Sequence, residues 1–576
     1  MNTAKNAMEM LPGQPSRLHR WALLLVCLAA FGLRFQGINW PAFHPDEHPI
    51  GAWVDKAARG VSQKDKLYAH GFFHMVKPAI WISRGLDYTS NAFAFQRGLK
   101  DRVRRTEDNA IMVARWFNVW AGTLVCLAGY LLVRRITRSP WAGVFGAALL
   151  GLAQYPVEHS HYGETDIAML LTLTTTLWLI TVTVETRRRL VFVLAALVGG
   201  FAAGTKFTLF LLLPVILALS VTFDPRSLSL RACVRTGGLV LAGLVCFLLG
   251  FLLAMPEAAD VGWFFKGLAY EKARVFGEAA LNLGPLRGDK QVRYMVHARE
   301  FLEYLNTLGW GWLVLAVVGL PCSALRAFRR FWTVTLLFPI LFLIYWIYQA
   351  PWVRSQEFMA FLPGFAVLAA LPLIMLWRSG PGFRRLAILI LAAVALMANG
   401  INGCRTASLF GWTDTRLLAK QWLQTHLPAQ RTIATENYAD PAWADIDRLP
   451  VCINKVEKTG LAFLVARDTD YLLRTASNSG RGLRNPLTDT LYPAPQKLFD
   501  EFIRNSERLR VWAPLPPQGL ATFASPAIEL YGLKIYPREH KINLELPQPL
   551  WLNNYYDSEK GRQTFFPVGR KLGAAT

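Results

Sequence analysis

Long apolar runs recur through the first 402 residues and constrain this chain more than any other feature. A helix that crosses the hydrocarbon core of a bilayer needs about 20 mostly apolar residues. Runs that meet or approach this length stand at residues 21–39, 111–133, 141–157, 166–185, 190–205, 207–222, 236–255, 307–324, 331–348, 358–377 and 386–402. We therefore expect a multi-pass α-helical membrane protein with about eleven spans.

The loops between these runs predict the orientation of the chain. Its net charge is +23, from 62 Lys and Arg against 39 Asp and Glu. Cytoplasmic loops of membrane proteins are enriched in Lys and Arg. With the N-terminus in the cytoplasm, each cytoplasmic loop carries arginines: Arg134, Arg135 and Arg138; Arg187–Arg189; Arg226, Arg231 and Arg235; Arg326, Arg329 and Arg330; and Arg378, Arg384 and Arg385. We expect a cell (inner) membrane protein with an extracytoplasmic C-terminus.

The same charge pattern bears on the choice of partner. A nucleic-acid-binding domain concentrates its basic residues on one face or stripe. Here the basic residues recur in short clusters between apolar runs, with no basic stretch interleaved with stacking aromatic residues. We expect contacts with membrane lipids and no nucleic-acid partner.

The apolar excess ends near residue 402, which predicts two domains. Residues 1–402 form the membrane body, with long extracytoplasmic loops at 40–110 and 256–306. Residues 403–576 form an extracytoplasmic α/β domain. Within it we expect helices at 413–427 and 499–508 and strands at 431–435, 470–474 and 528–536.

A His-Pro-Asp-Glu-His sequence follows the first run, at residues 44–48. Asp46 and Glu47 are adjacent carboxylates, flanked by His44 and His48. Carboxylates held near a bilayer are costly to desolvate and indicate function, either as a general base or as cation ligands. The alternative is a helix N-terminus that begins after proline and favours acidic residues.

A second polar cluster, Glu158-His159-Ser160-His161-Tyr162-Gly163-Glu164-Thr165-Asp166, separates the third and fourth runs. His159 and His161 are spaced like metal ligands, but two histidines without a third ligand are a weak zinc signal. Asp166 stands where the fourth span begins, so helix capping is the alternative to a functional role.

Two single cations stand at the predicted edges of spans: Lys206 and Arg354. Either side chain can snorkel to the lipid headgroups. The functional alternative is a phosphate-binding role, for which arginine offers bidentate geometry.

Together these residues resemble those of GT-C glycosyltransferases, and more closely family 39, the protein O-mannosyltransferase and aminoarabinose-transferase type. The resemblance rests on His44–Glu47, on Asp166 and on Gly-Thr-Lys-Phe at 204–207. It extends to Val-Arg-Ser-Gln-Glu-Phe-Met-Ala-Phe-Leu-Pro at 353–363 and to Asp414-Thr415-Arg416 with Trp422-Leu423 after the last span.

This resemblance implies a polyprenyl-phosphate-linked sugar as donor and a direct transfer to an acceptor hydroxyl on the extracytoplasmic face. It implies Asp46 as general base, with Glu47 and Asp166 orienting it or holding a cation. Lys206 and Arg354 would bind the donor phosphate. His44, His48, His159, His161 and Glu164 are candidate contacts to a divalent cation or to the acceptor, which is a protein, lipid or glycan. A transporter or flippase of lipid-linked sugars and a non-catalytic membrane scaffold remain as alternatives.

Of the seven cysteines, only Cys404 and Cys452 are predicted to lie outside the cytoplasm and the membrane. An oxidising compartment permits a disulfide between them. We expect this disulfide to tie the first part of the tail to its linker, and two unpaired thiols are the alternative.

Overall fold

A computed structural model describes most of the membrane body and part of the tail. The described residues are 17–39, 47–62, 64, 67–87, 106–221, 230–283, 298, 301–302, 304–325, 328–348, 355–379, 382–411, 414–426, 431–436, 439, 451–453, 460–475, 493–512 and 528–534. They form two compact units. The first contains the described residues up to Ser408 except 279–283, and the second contains those five residues and the described residues from Leu409 onward.

The first unit is helical. Its helices are α1 (Arg17–Phe35), α2 (Glu47–Ala58), α3 (Gly71–Asp87), α4 (Thr106–Thr137), α5 (Pro140–Leu152), α6 (Gln154–His159), α7 (Asp166–Thr186), α8 (Arg189–Thr205), α9 (Leu212–Val221), α10 (Leu230–Ala254), α11 (Val261–Leu283), α12 (Trp310–Ser323), α13 (Phe338–Tyr348), α14 (Leu362–Ser379) and α15 (Gly382–Gly411). Shorter helical turns cover Phe207–Leu211, Pro256–Ala259, Arg329–Phe331, Thr333–Leu337, Ser355–Phe358 and Met359–Phe361.

Every predicted apolar run coincides with an apolar helix. Six helices of the described chain are long and apolar enough to cross a membrane: α1, α4, α7, α10, α14 and α15. Five shorter apolar helices fall on the remaining runs: α5, α8, Phe207–Ser220, α12 and Thr333–Ile347. This is the helix content of a multi-pass membrane protein, and the number of crossings and their direction stay predictions.

Small residues let some of these helices approach closely. A Cβ atom added to Gly200 of α8 would lie 1.8 Å from the carbonyl oxygen of Phe247 in α10. A Cβ added to Gly250 of α10 would lie 1.9 Å from the carbonyl oxygen of Leu197. Close backbone contact at glycine is a common way for membrane helices to associate, because lipid supplies little hydrophobic drive between them.

The second unit contains a mixed five-stranded sheet. Its strands are β1 (Ile433–Glu436), β2 (Val451–Ile453), β3 (Tyr471–Thr475), β4 (Ser506–Trp512) and β5 (Ile528–Leu533), in the order β2-β1-β3-β5-β4. β1 pairs in parallel with β2 and β3, and β5 pairs in antiparallel fashion with β3 and β4.

Alternation along the strands gives this sheet two apolar faces, and helices cover both. On one face, Ala434, Leu472 and Tyr531 pack with α17 (Leu461–Ala466) and α18 (Pro493–Arg504). On the other, Ile433 and Leu473 pack with α16 (Thr415–His426).

The predicted tail elements are partly confirmed. The expected helix at 413–427 and the three expected strands are present as α16, β1, β3 and β5. The helix expected at 499–508 is wrong at its end, because α18 stops at Arg504 and strand β4 begins at Ser506. The Asn505 side chain donates to the Glu501 carbonyl oxygen at 2.8 Å, which satisfies part of the helix end.

The cysteine expectation is contradicted. Cys404 lies exposed in α15, and its thiol is free. The side chain of Cys452 lies outside the described residues. The predicted disulfide is therefore not formed by Cys404 in this structure.

Candidate functional site

The turn between α6 and α7 carries a dense group of buried polar side chains. Glu158, His159, Glu164 and Asp166 are all buried there. Asn118 of α4 fixes the turn, because its side-chain amide donates to the carbonyl oxygens of Tyr162 and Glu164, both at 2.7 Å. Helix α4 therefore fixes the backbone of the turn, and with it the positions of the polar side chains next to these carbonyls.

Glu47, at the start of α2, forms a buried ion pair with α4 and also accepts a hydrogen bond from this turn. Arg115 of α4 donates to both carboxylate oxygens of Glu47, each at 2.7 Å, and neither side chain is exposed. The backbone N–H of Gly163 donates to the same carboxylate at 2.6 Å. Glu47 therefore joins α2, α4 and the turn. Because its oxygens already accept several hydrogen bonds, this carboxylate holds the neighbouring backbone segments in position.

Asp166 and Lys206 form the centre of the site. Asp166 is the first residue of α7, and Lys206 follows the last residue of α8 in extended conformation. The Lys206 ammonium lies 2.5 Å from an Asp166 carboxylate oxygen and 4.0 Å from a Glu357 carboxylate oxygen. Each charge suits its helix end, because a helix N-terminus favours an anion and a C-terminus favours a cation.

His159 extends this cluster. Its Nδ1 lies 3.6 Å from an Asp166 oxygen and 3.8 Å from a Glu164 oxygen. Burial disfavours the imidazolium, but the carboxylates of Glu164, Asp166 and Glu158 outweigh it and raise the pKa of His159. The local field is therefore negative and favours a positive charge.

The same three residues could hold a cation. One ligand atom from each of His159, Glu164 and Asp166 lies within 4.8 Å of the others. A nitrogen and two carboxylate oxygens suit a divalent metal such as manganese or zinc better than magnesium, which prefers oxygen alone. Lys206 already provides one positive charge at Asp166, so a metal would share that carboxylate with it.

His161 does not join this group of possible ligands. Its two ring nitrogens lie 2.8 Å from the carbonyl oxygens of Val157 and Gln36. Burial lowers the pKa of His161 to about 4, outweighing those two carbonyls. The i, i+2 spacing of His159 and His161 therefore separates a histidine that faces carboxylates from one that faces backbone.

Three buried polar residues were missed by sequence reasoning: Arg34, Arg115 and Asn118. Arg34 of α1 donates to the Ser160 hydroxyl at 3.0 Å and to the carbonyl oxygens of Ala30 and Gly151 at 2.8 and 2.7 Å. All three stand inside predicted spans. A polar or charged residue within an apolar run is costly in lipid and marks function or a buried partner, and that signal could have found them.

Other predicted site residues lie outside the described part of the chain. These are His44, Asp46, Arg354 and the side chain of His48. Of the predicted residues that the structure describes, Asp166, Lys206, His159 and Glu164 come together. Glu47, at the start of α2, accepts a hydrogen bond from the turn that carries three of them.

Comparison with known proteins bears on this site. Residues 106–251 match the sequence model of the family described as dolichyl-phosphate-mannose-protein mannosyltransferase. The chain resembles the GT-C glycosyltransferases. The matched segment contains Arg115, Asn118, the turn, Asp166 and Lys206. No curated protein matches the chain in sequence.

Solved structures of similar shape include membrane glycosyltransferases. The oligosaccharyltransferase AglB from Archaeoglobus fulgidus, in complex with an inhibitory peptide and a dolichol-phosphate, is 11% identical with a TM-score of 0.48. That alignment covers 82% of this chain and 72% of AglB. ArnT from Cupriavidus metallidurans, bound to undecaprenyl phosphate, is 13% identical with a TM-score of 0.43, over 91% of this chain and 100% of ArnT.

Proposed function

We propose that this chain is a membrane glycosyltransferase that moves a sugar from a polyprenyl-phosphate donor to an acceptor hydroxyl. The carrying observation is the cluster of Asp166, which is buried, with Lys206 and Glu357, which are partly buried. Its members come from the start of α7, the end of α8 and the segment before α14. Asp166 and Lys206 fall within the segment that matches the mannosyltransferase family. We assign the reaction to the extracytoplasmic face, where the positive-inside pattern puts this end of the helices.

The proposed reaction is a direct displacement at the anomeric carbon. Asp46 takes the proton of the acceptor hydroxyl, and the acceptor oxygen bonds to that carbon. The bond from the carbon to the phosphate oxygen breaks, and polyprenyl phosphate leaves with the electron pair. Asp46 directly precedes Glu47 in the chain, and Glu47 is held by Arg115 and Gly163. This ion pair supports the assignment, because it fixes the backbone one residue from the base.

Negative charge develops on the leaving phosphate, and cations must stabilise it. We assign this role to Lys206 and Arg354. Lys206 supports the assignment because it remains 18% exposed while its ammonium is positioned by Asp166. An ammonium held in place before the donor arrives loses little freedom on binding.

A divalent cation is compatible with this proposal. His159, Glu164 and Asp166 would hold it, with His44 and His48 as further candidate contacts. When bound, it would add positive charge next to the phosphate and lower the cost of its departure. His161, whose ring faces backbone carbonyls, is better assigned to holding the turn.

The proposal is tested in cells that lack the gene. We would compare surface glycans, glycolipids and glycoproteins by mass spectrometry with and without it. The deletion strain would then be complemented with wild type, Asp46→Asn, Lys206→Met and the control Asp260→Asn. Asp260 is an exposed acid paired with Lys64, and it is not a member of the cluster at Asp166. We expect one sugar modification to disappear in the deletion and to return only with wild type and the control.

Two results would contradict the proposal. A deletion that changes no glycan would refute glycosyl transfer. Full activity of Asp46→Asn would refute the assigned base while leaving the reaction class standing. Translocation of lipid-linked sugar is measured separately, in vesicles from the two strains. The transporter alternative requires translocation to fail in the deletion strain, whereas the glycosyltransferase proposal does not.

A further inference from the structure

At the far end of α7, a single carboxylate contacts two arginines. Glu185 contacts Arg135, near the end of α4, through the Arg135 Nε atom. Arg330, in the turn Arg329–Phe331, donates to the other Glu185 oxygen at 3.3 Å. Glu185 is 15% exposed at its side chain, whereas the two arginines are 39% and 40% exposed. The ends of two long helices and one turn therefore meet around this pair of contacts.

The cluster carries more positive than negative charge. Burial lowers the pKa of Arg330, the Glu185 carboxylate opposes that change, and the charges of Arg138 and Arg135 add to it. The charges of Arg135 and Arg138 thus both act on the Arg330 guanidinium, and Glu185 contacts Arg135 and Arg330. Two positive charges remain unbalanced, and the side chains that carry them reach solvent.

The backbone gives a second, independent indication. Arg138 and Arg187 have positive φ values of 56° and 54°, in the left-handed region that favours glycine. Arg138 follows the end of α4, and Arg187 follows the end of α7. Both helix ends keep a charged side chain where glycine would cost less. Strained positions of this kind mark functional sites more often than chance.

The location of the cluster identifies the type of anion. Helices α4 and α7 are long and apolar enough to cross a membrane, and both end at these arginines. Helix α7 has 21 residues, so the cluster lies about 30 Å along the helix from Asp166. Lipid phosphates lie at the level where spanning helices end. Basic pockets between such helices bind anionic headgroups.

We propose that Arg135, Arg138 and Arg330 form a binding site for the phosphate of an anionic phospholipid. Guanidinium groups bind phosphate oxygens through charge-assisted, often bidentate, hydrogen bonds. Glu185 holds two of the three arginines in place without neutralising all of their charge. This site is separate from the cluster at Asp166 and does not depend on the reaction proposed for it.

The test uses the purified full chain, delipidated in detergent and examined by native mass spectrometry. The probes are dioleoylphosphatidylglycerol, dioleoylphosphatidylcholine and inorganic phosphate. We expect adducts of the anionic lipid at concentrations where the zwitterionic lipid gives none. Inorganic phosphate at the same concentration should not displace the lipid, because it lacks the acyl chains that the neighbouring helices contact.

Variants locate the site. Arg138→Gly with Arg330→Gln removes two charges, and Arg138→Gly alone suits the left-handed backbone, so it preserves folding. The control Arg467→Gln with Arg508→Gln removes two exposed charges from the second unit. An arginine near a lipid surface changes affinity by about fivefold, so the double variant should bind about 25-fold more weakly. The control should bind as wild type does.

Three outcomes would overturn the proposal. Equal adducts with both lipids would show that headgroup charge does not matter. Unchanged binding in both Arg138→Gly and the double variant would place the lipid elsewhere. Displacement of the lipid by inorganic phosphate would indicate a site for a free anion.

Discussion

The ion pair of Glu47 and Arg115 gives the sharpest test of how the site is built. Both side chains are fully buried, the contact is bidentate at 2.7 Å, and Gly163 adds a further hydrogen bond. Removing one partner of a buried pair leaves an uncompensated charge and costs about 3–5 kcal/mol. Glu47→Gln leaves the Arg115 guanidinium without its carboxylate. We expect the free energy of unfolding to fall by that amount.

The assay is thermal unfolding of the purified protein in detergent. At about 2 °C per kcal/mol, the expected fall in midpoint temperature is about 6–10 °C for Glu47→Gln. The matched control is Lys64→Gln, which breaks a pair of the same 2.7 Å length between side chains that are each 47% exposed. An exposed pair is screened by solvent and contributes little to stability, so the control should unfold close to the midpoint of wild type.

A double variant separates charge from packing. Glu47→Leu with Arg115→Met leaves no buried charge and should recover part of the loss seen in Glu47→Gln. If Glu47→Gln shifted the midpoint no more than Lys64→Gln does, the pair would not hold α2 to α4. If the double variant lost as much stability as Glu47→Leu and Arg115→Met lose together, packing and not the unpaired charge would dominate.

Two further predictions concern the helices around the site. Gly200→Ala should force α8 away from the Phe247 carbonyl and lower the midpoint temperature, at a cost of about 1–3 kcal/mol. The control Gly238→Ala should not lower it, because no heavy atom lies within 4 Å of the added Cβ. Equal midpoints for the two variants would contradict the close contact. Burial lowers the pKa of His74 from 6.5, with Glu257 opposing and His70 and Lys77 adding to the shift. The unfolded chain therefore binds more protons, and stability is lost as pH falls below about 6.5. Midpoints measured from pH 7.5 to 5.5 should fall less steeply in His74→Gln, and parallel curves would contradict this.

Much of the membrane body could be predicted because apolar length is a local property. Each predicted run became an apolar helix, and the structure moved all but one of the ends by six residues or fewer. Strand β4 was harder to predict from the sequence. Its sequence Ser-Glu-Arg-Leu-Arg-Val-Trp is rich in residues that also suit an exposed helix, and it lies at the edge of the sheet, where only one side pairs. Pairing with β5, about 20 residues later in the chain, decides its conformation.

The candidate site was predictable only in part, for a related reason. Asp166 and Lys206 lie at helix ends beside other polar residues, so the sequence alone identifies them as candidate site residues. Arg115 and Asn118 lie inside α4, and only the folded chain shows that they face Glu47 and the turn. The role of Glu47 changes for the same reason. The sequence shows a carboxylate beside Asp46, whereas the structure shows which arginine it binds.

The pairing of Asp166 with Lys206 also has a mechanical consequence for α7 and α8. The two helices are joined by Arg187 and Arg188 at one end and by this ion pair at the other. Their lengths are 21 and 17 residues, about 31 and 26 Å, close to the hydrocarbon thickness of a bilayer. A hairpin fastened at both ends resists splaying. If both helices cross the bilayer, we expect this pair to respond to a change in bilayer thickness by tilting as one body, with the spacing of the charges between them preserved.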